Sequence, residues 1–445
     1  MPDIAATSTA GAPAEDVRAL TSKVRTDHHI WGTYIFIVLI SIIELFSASI
    51  QEVKADDIYG PIMRHVVFIG VGLLIMLALQ KVHFKYIYYF IPVFVLLSVL
   101  AMGYVAVAGT KINGVRRAIE LGPITILPAE FLKLSAALGV AWILSRCQMP
   151  DRRDVTTRGF VYCLVFIGGC CGILVTQGLT NALLVGCIGF SMMLVGGVGW
   201  KKFGIAIAVV AGLGAVVVGG MAMYKPDEGP TEREQRIAAL NHETISETEQ
   251  GLGRGATWNG RLSRHFRSDK YLEDITDENK QEQISFIAQA HGGLVGAGIG
   301  QSRENARLPL AFSDYIFAII IEELGLFVGL FLMLSYLWLL GRSARLMMCF
   351  KQTMPGVLVI GCAFVIVFQA LFHMGIVSGF FPVSGQPLPL ISKGGTSVIA
   401  TSIAFGIMLS VSRHAARFND SAAVKQELEI LPENVQSSNP SLLNK

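Results

Sequence analysis

The sequence predicts an all-α integral membrane protein of about ten transmembrane helices with one long extracytoplasmic loop. Three observations carry this. Of the 445 residues, 52% are hydrophobic and only 16% are charged, where a soluble domain carries about 25% charge. The apolar residues gather into runs of about 20, the length that crosses a bilayer as a helix. Mean hydropathy is +0.54. This composition excludes a soluble globular enzyme and a disordered chain. The net charge of +3, from 36 basic and 33 acidic residues, carries no nucleic-acid signal.

Along the chain, residues 1–29 are polar and rich in Ala, Thr, Ser and Pro, which predicts a disordered cytoplasmic tail. The first apolar run begins too late and is too long for a cleavable signal peptide, so it reads as an uncleaved first span. Spans are expected near 30–50, 62–80, 84–107, 128–145, 159–176, 182–199 and 203–224, then near 312–340, 356–378 and 396–412, within a membrane domain of residues 30–413. Between spans seven and eight lies a polar stretch, 225–311. Its first part, 225–282, is densely charged, whereas 284–300 is apolar and glycine-rich, which suits a re-entrant or interfacial segment. Residues 414–445 read as a second disordered tail. No internal repeat is visible. The seven cysteines sit within or at the ends of apolar runs and read as packing residues, not as a disulfide framework.

Ten spans place both tails on one side. With the tails inside, 18 basic residues fall on inner segments and six on short outer loops, so the positive-inside rule favours cytoplasmic termini and an external long loop.

Ionisable groups within spans are costly and usually functional. They are Glu44 in the first span, Glu130 and Lys133 in the fourth, Glu322 and Glu323 in the eighth, and Asp314 at the outer end of the eighth. Glu130 and Lys133 share a helix face and can pair, either as a structural ion pair or as a cavity lining. Glu322 and Glu323, being adjacent, point apart, and at least one serves helix packing through hydrogen bonds. Asp314 reads either as a helix cap or as a base at the outer surface acting on a lipid-delivered substrate. Arg116 and Arg117, with Lys111 nearby, suit phosphate or an interfacial anchor. Gly394 and Gly395 allow close approach of a ligand or of another helix. There is no P-loop, His-Glu-x-x-His, Cys-x-x-Cys or Gly-x-Ser-x-Gly, and Gly296-Ala-Gly-Ile-Gly300 lacks the βαβ context of a dinucleotide site.

Five segments in order resemble the SEDS family (shape, elongation, division and sporulation), over roughly residues 30–413. They are Ser47-Ala-Ser49; Asn113-Gly-Val-Arg-Arg117 with Leu121-Gly122 and Pro128-Ala-Glu130-Phe-Leu-Lys133; the glycines from Gly292 to Gly300; Ser313-Asp314-Tyr-Ile-Phe317-Ala318 with Glu322-Glu323-Leu-Gly325; and Pro382-Val-Ser-Gly385-Gln-Pro387-Leu-Pro389-Leu-Ile-Ser392-Lys-Gly394-Gly395-Thr-Ser397. The chain departs from the family pattern at Ala118, at Leu127-Pro-Ala129, at Phe312-Ser313, at Lys393, and at Gln177-Gly-Leu-Thr-Asn181, which lacks the usual acid.

The resemblance implies the SEDS fold and a membrane glycosyltransferase that polymerises peptidoglycan from lipid II on the outer face of the bacterial cytoplasmic membrane. It implies Asp314 as the general base on the attacking sugar 4-hydroxyl. A leaving undecaprenyl pyrophosphate needs no proton, so one base is enough. Arg117 and Lys133, the latter oriented by Glu130, would stabilise the pyrophosphate, and Ser392, Gly394 and Gly395 would line the substrate site. A divalent cation, Mg or Mn, could share the charge. Expected partners are lipid II, the lipid-linked glycan, a class B penicillin-binding protein that crosslinks the strands, and other divisome or elongasome membrane proteins. The Leu-Ile-Ser-Lys-Gly-Gly run and the Ser-Arg-His end of the tenth span resemble the division branch (FtsW) more than the elongation branch (RodA). The competing expectations are a RodA-type polymerase, a lipid II flippase and a structural scaffold.

Overall fold

The structure, a computed structural model, describes residues 26–48, 60–112, 115–121, 124–148, 155–204, 275, 279–305, 307–308, 311–350 and 353–430. The N-terminal tail up to residue 25, the seventh expected span beyond Gly204, nearly all of the charged segment 225–282 and the last 15 residues of the C-terminal tail lie outside them.

Seven described helices are long and apolar enough to cross a membrane. They are α1 (His28–Ala48), α3 (Phe84–Ala108), α4 (Pro128–Cys147), α5 (Thr157–Val175), α10 (Leu326–Met348), α11 (Thr353–Val377) and the Gly395–Arg413 part of α12 (Gly395–Ile430). Two more, α2 (Gly60–Leu79) and α6 (Leu179–Val195), hold shorter apolar stretches. Local chemistry sets several ends. Pro128 opens α4, where its missing N–H costs nothing. Thr156 caps α5 by accepting from the Gly159 N–H at 3.1 Å. Asp27 leads α1, accepting from His29 N (2.9 Å) and from Arg342 Nε of α10 (2.6 Å).

α4, α11 and the first turns of α12 form an enclosed centre. α2 lies along α12, α10 along α11, α3 along α4, and α5 with α6 against α4. The outer helices present large apolar side chains outward, among them Tyr89, Leu96 and Leu97 on α3 and Phe327, Phe331 and Trp338 on α10. Patches of that size are unfavourable in water and natural in lipid. Small residues let α2 and α12 meet: a Cβ on Gly72 would lie 2.5 Å from Ser402 Oγ, and one on Gly406 2.8 Å from Leu79 Cβ.

The structure differs from the sequence reading at four places. The eighth span is not one helix over 312–340: it breaks into α8 (Ala311–Asp314), the buried α9 (Ile316–Leu324) and α10. The expected re-entrant or interfacial stretch 284–300 is mostly the helix α7 (Lys280–Gly292) followed by a glycine turn. Between α3 and α4 the otherwise helical plan gives way to an antiparallel sheet, in the order β1 (Thr110–Ile112), β2 (Val115–Leu121) and β3 (Ile124–Ile126). Finally, α12 continues to Ile430, past the end expected at Ser412.

The glycine turn explains the broken span. Gly296 (φ +90°) and Gly325 (φ +88°) both sit where a side chain is strained, and their backbones meet. A Cβ on Gly325 would lie 2.4 Å from the Val295 carbonyl carbon. This approach lets Ala297 N and Gly298 N donate to the Glu322 and Glu323 carbonyls (2.8 and 3.0 Å), so the end of α9 is satisfied by the turn and not by helix continuation.

Candidate active site

The site forms where β2, α4, α6, α8 and α11 meet the loop between α11 and α12. Asp314 closes α8, and its Oδ1 accepts from the Ser313 hydroxyl at 2.7 Å. Gly385 of the loop is pressed against it: a Cβ there would lie 2.9 Å from Asp314 Oδ2. Burial holds the Asp314 carboxyl above the usual carboxylate range, while the Ser313 hydroxyl and the nearby Arg117 charge pull it partly back.

The sheet separates the two arginines. The exposed Arg116 guanidinium turns back onto the end of α3, donating to the carbonyls of Ala106 (3.2 Å) and Val107, as a cation at a helix C-terminus does. Arg117, half-buried, is the member whose charge acts on Asp314. The Arg116 carbonyl is pinned by Gln177 Nε2 at 2.8 Å. Thr396 Oγ1 accepts from Leu127 N (3.1 Å) and donates to the Thr125 carbonyl (3.2 Å), fixing β3 to α12.

One turn into α4, Lys133 is fully buried, and its Nζ donates to Glu130 Oε1 (2.7 Å), Gln369 Oε1 (3.0 Å) and Gln386 Oε1 (3.4 Å). Three acceptors, one ionised, are what a buried ammonium requires. Gln369 Nε2 donates to Glu130 Oε2 (3.4 Å) and to the Pro387 carbonyl (3.0 Å). Gln386 Nε2 donates to Asn181 Oδ1 of α6 (2.8 Å), and the Gln386 carbonyl accepts from His373 Nδ1 of α11 (2.6 Å). Gly385 and Gln386, consecutive in the chain, thus touch Asp314 and Lys133 respectively.

The remaining expected residues have other partners. Ser392 is buried and braces the loop, accepting from Leu388 N (2.6 Å) and donating to the Ser313 carbonyl (2.8 Å) beside Asp314. Gly395 serves helix packing, since a Cβ there would lie 2.5 Å from the Phe68 ring. Gly394 is half-buried, and a Cβ there would meet Ser397 Cβ at an ordinary 3.5 Å. Lys393 is half-buried, and burial lowers its ammonium from the ordinary lysine value. Glu322 and Glu323 take separate partners on the same turn. Glu322 accepts from Arg303 N (2.9 Å) and pairs with His291 Nδ1 (2.8 Å), while Glu323 accepts from Gly300 N (3.1 Å) and the Ser47 hydroxyl. Both tie the glycine turn to α9, away from Asp314. Among the described residues no three His, Cys, Asp or Glu side chains converge as cation ligands.

Sequence reasoning did not single out Gln369, His373, Gln386 or Asn181 as site residues. Gln369 and His373 gave a signal, two polar residues one turn apart in the apolar run of α11.

The family whose members are described as cell cycle proteins of the FtsW/RodA/SpoVE type matches residues 27–253 and 257–417. The chain belongs to this family, the SEDS family. Among its relatives, stage V sporulation protein E of Bacillus subtilis is 29% identical over 409 residues, covering 89% of this chain and 99% of the relative. Peptidoglycan glycosyltransferase MrdB of Escherichia coli is 26% identical over 398 residues, covering 88% and 95%. A solved chain from a peptidoglycan synthase complex, described for its coordination of polymerization and crosslinking, aligns over 88% of this chain and 99% of its own length, with TM-score 0.63 and 24% identity. That likeness establishes the helical SEDS membrane fold.

Proposed function

We propose that this SEDS protein is a peptidoglycan glycosyltransferase that polymerises lipid II at the outer face of the bacterial cytoplasmic membrane, with Asp314 as general base. The observation that carries this is the placement of one partly buried carboxyl between a cationic wall (Arg117 on β2) and a loop that, through Gln386, also contacts the Lys133–Glu130 pair of α4. Asp314 takes the proton from the incoming sugar 4-hydroxyl as that oxygen attacks the anomeric carbon of the growing chain. The bond to undecaprenyl pyrophosphate breaks, and the leaving group departs as an anion that Arg117 and Lys133 stabilise. The name borne by MrdB supports the reaction, and the pairing of polymerization with crosslinking in the synthase complex supports a crosslinking partner, for which the family resemblance implies a class B penicillin-binding protein. Both termini lie in the cytoplasm, as the distribution of basic residues favours. The Leu390-Ile-Ser-Lys-Gly-Gly395 run supports a role in septal wall synthesis over elongation.

The test is reconstitution of the full chain with its transpeptidase partner and lipid II. Asp314→Ala and Asp314→Asn should lose polymer by roughly 100-fold or more, with lipid II binding retained. Full polymerisation by Asp314→Ala would overturn the assignment and favour a scaffold. Lipid II translocation that survives the substitution would favour a flippase.

A further inference from the structure

Residues 382–388, which wall Asp314, have no regular secondary structure, yet Gln386, Leu388, Leu390 and Ser392 in and after them are buried. Irregular backbone at membrane depth must be held by specific partners. Leu390 even sits in the left-handed region (φ +65°), a conformation that persists only when its surroundings impose it. Most of the clamps act late in the loop: Gln369 on the Pro387 carbonyl, Tyr336 on the Pro389 carbonyl at 2.7 Å, and Ser392 on Leu388. At the Gly385 end, Gln386 makes the connections. Its side chain bridges Lys133 on α4 and Asn181 on α6, and its carbonyl meets His373 on α11.

We propose that Gln386 is a positioning residue that couples the Lys133 ammonium to the backbone wall of Asp314, so that base and cation are set by one side chain. Its amide uses one end on each neighbour. An apolar side chain of equal length would fill the space but leave Lys133 with one acceptor fewer and the Asn181 oxygen without its donor. The Gly385 backbone, with no side chain of its own to anchor it, would then relax away from Asp314 Oδ2 and admit water to that edge.

This proposal rests on Asp314 being the base, so its test reads the carboxyl with and without turnover. The full chain is placed in proteoliposomes as wild type, Gln386→Met, Gln386→Glu and Asn181→Ala. Carbodiimide labelling of Asp314 is followed against pH by peptide mass spectrometry, and lipid II polymerisation is measured in parallel. The charged groups around the carboxyl and its loop (Arg117 on β2, Glu130 and Lys133 on α4, and Lys393) are present in all four proteins. In Gln386→Met the labelling midpoint should move down toward that of an ordinary carboxylate, because the wall that desolvates Asp314 has loosened. kcat should fall roughly tenfold or more while KM changes by less than about threefold. Gln386→Glu, which keeps an acceptor for Lys133, should recover part of kcat. If Gln386→Met does not fold, Asn181→Ala, which removes the far anchor of the same amide, is read the same way. An unchanged midpoint in a folded variant, or a loss carried by KM alone, would overturn the coupling. Wild type that makes no polymer, with the midpoint shift present, would sink the glycosyltransferase reading and leave the coupling standing.

Discussion

Lys133 makes its three hydrogen bonds at zero exposure, and only one of its partners carries charge. Removing one member of such a pair strands the other. Lys133→Met should therefore destabilise by about 3–5 kcal/mol, read as a lower unfolding temperature in detergent. The double change Lys133→Met with Glu130→Gln should recover most of that stability and none of the activity, which separates a purely structural ion pair from one that also serves the leaving group. Asp314 predicts a pH dependence. Burial raises its pKa, and a base acts only when ionised, so activity should be full above the raised value and fall as pH drops through it. The acid limb of kcat/KM should accordingly lie above the ordinary carboxylate range and be absent from whatever activity Asp314→Asn retains. At this scale the sequence was legible wherever a charge interrupts an apolar run, as at Glu130, Lys133 and Asp314. Gln386 and Asn181 were not, because a neutral amide in a loop or in the first turn of a helix has many ordinary uses, and only the contacts of Gln386 with Lys133 and of Asn181 with Gln386 distinguish these two.

The break between α9 and α10 depends on two glycines 29 positions apart, Gly296 and Gly325, whose backbones touch. Gly325→Ala combines a strained φ with a Cβ 2.4 Å from the Val295 carbonyl carbon, which something must yield to accommodate. It should cost about 2–4 kcal/mol, whereas Gly341→Ala, on the open face of α10, should cost nothing measurable in the same thermal melt. Hydropathy alone reads residues 312–340 as one span because the apolar residues on either side outweigh Glu322 and Glu323 just before the break; the instruction to stop lies in a distant turn. The sheet over 110–126 escaped for the related reason that its strands are three to seven residues long, too short for an alternating pattern to stand out.

At the scale of the molecule, the plan of spans followed from apolar run length, and nine of the ten expected spans coincide with described helices, the eighth in broken form. Their orientation in the membrane makes a prediction that a native thiol can check. Cys349, exposed at the end of α10, should face the cytoplasm. In a variant whose other cysteines are replaced, a membrane-impermeant maleimide should leave it unlabelled in intact spheroplasts and label it after permeabilisation; labelling from outside would invert the topology. The broken span has a consequence for how the enzyme lives with its lipids. A full-length helix answers a thicker or thinner bilayer by tilting, and carries its ends up or down with it. α10, with Leu326, Phe327 and Phe331 turned outward, is the piece that meets the acyl chains. Asp314 does not ride on α10: it is hung from α9, nine residues or about 14 Å of helix with eight of them buried, with a backbone break on either side. The height of the carboxylate is thereby set by protein packing, so changes in acyl-chain length or growth temperature should tilt the outer helix and leave Asp314, the proposed base, in place.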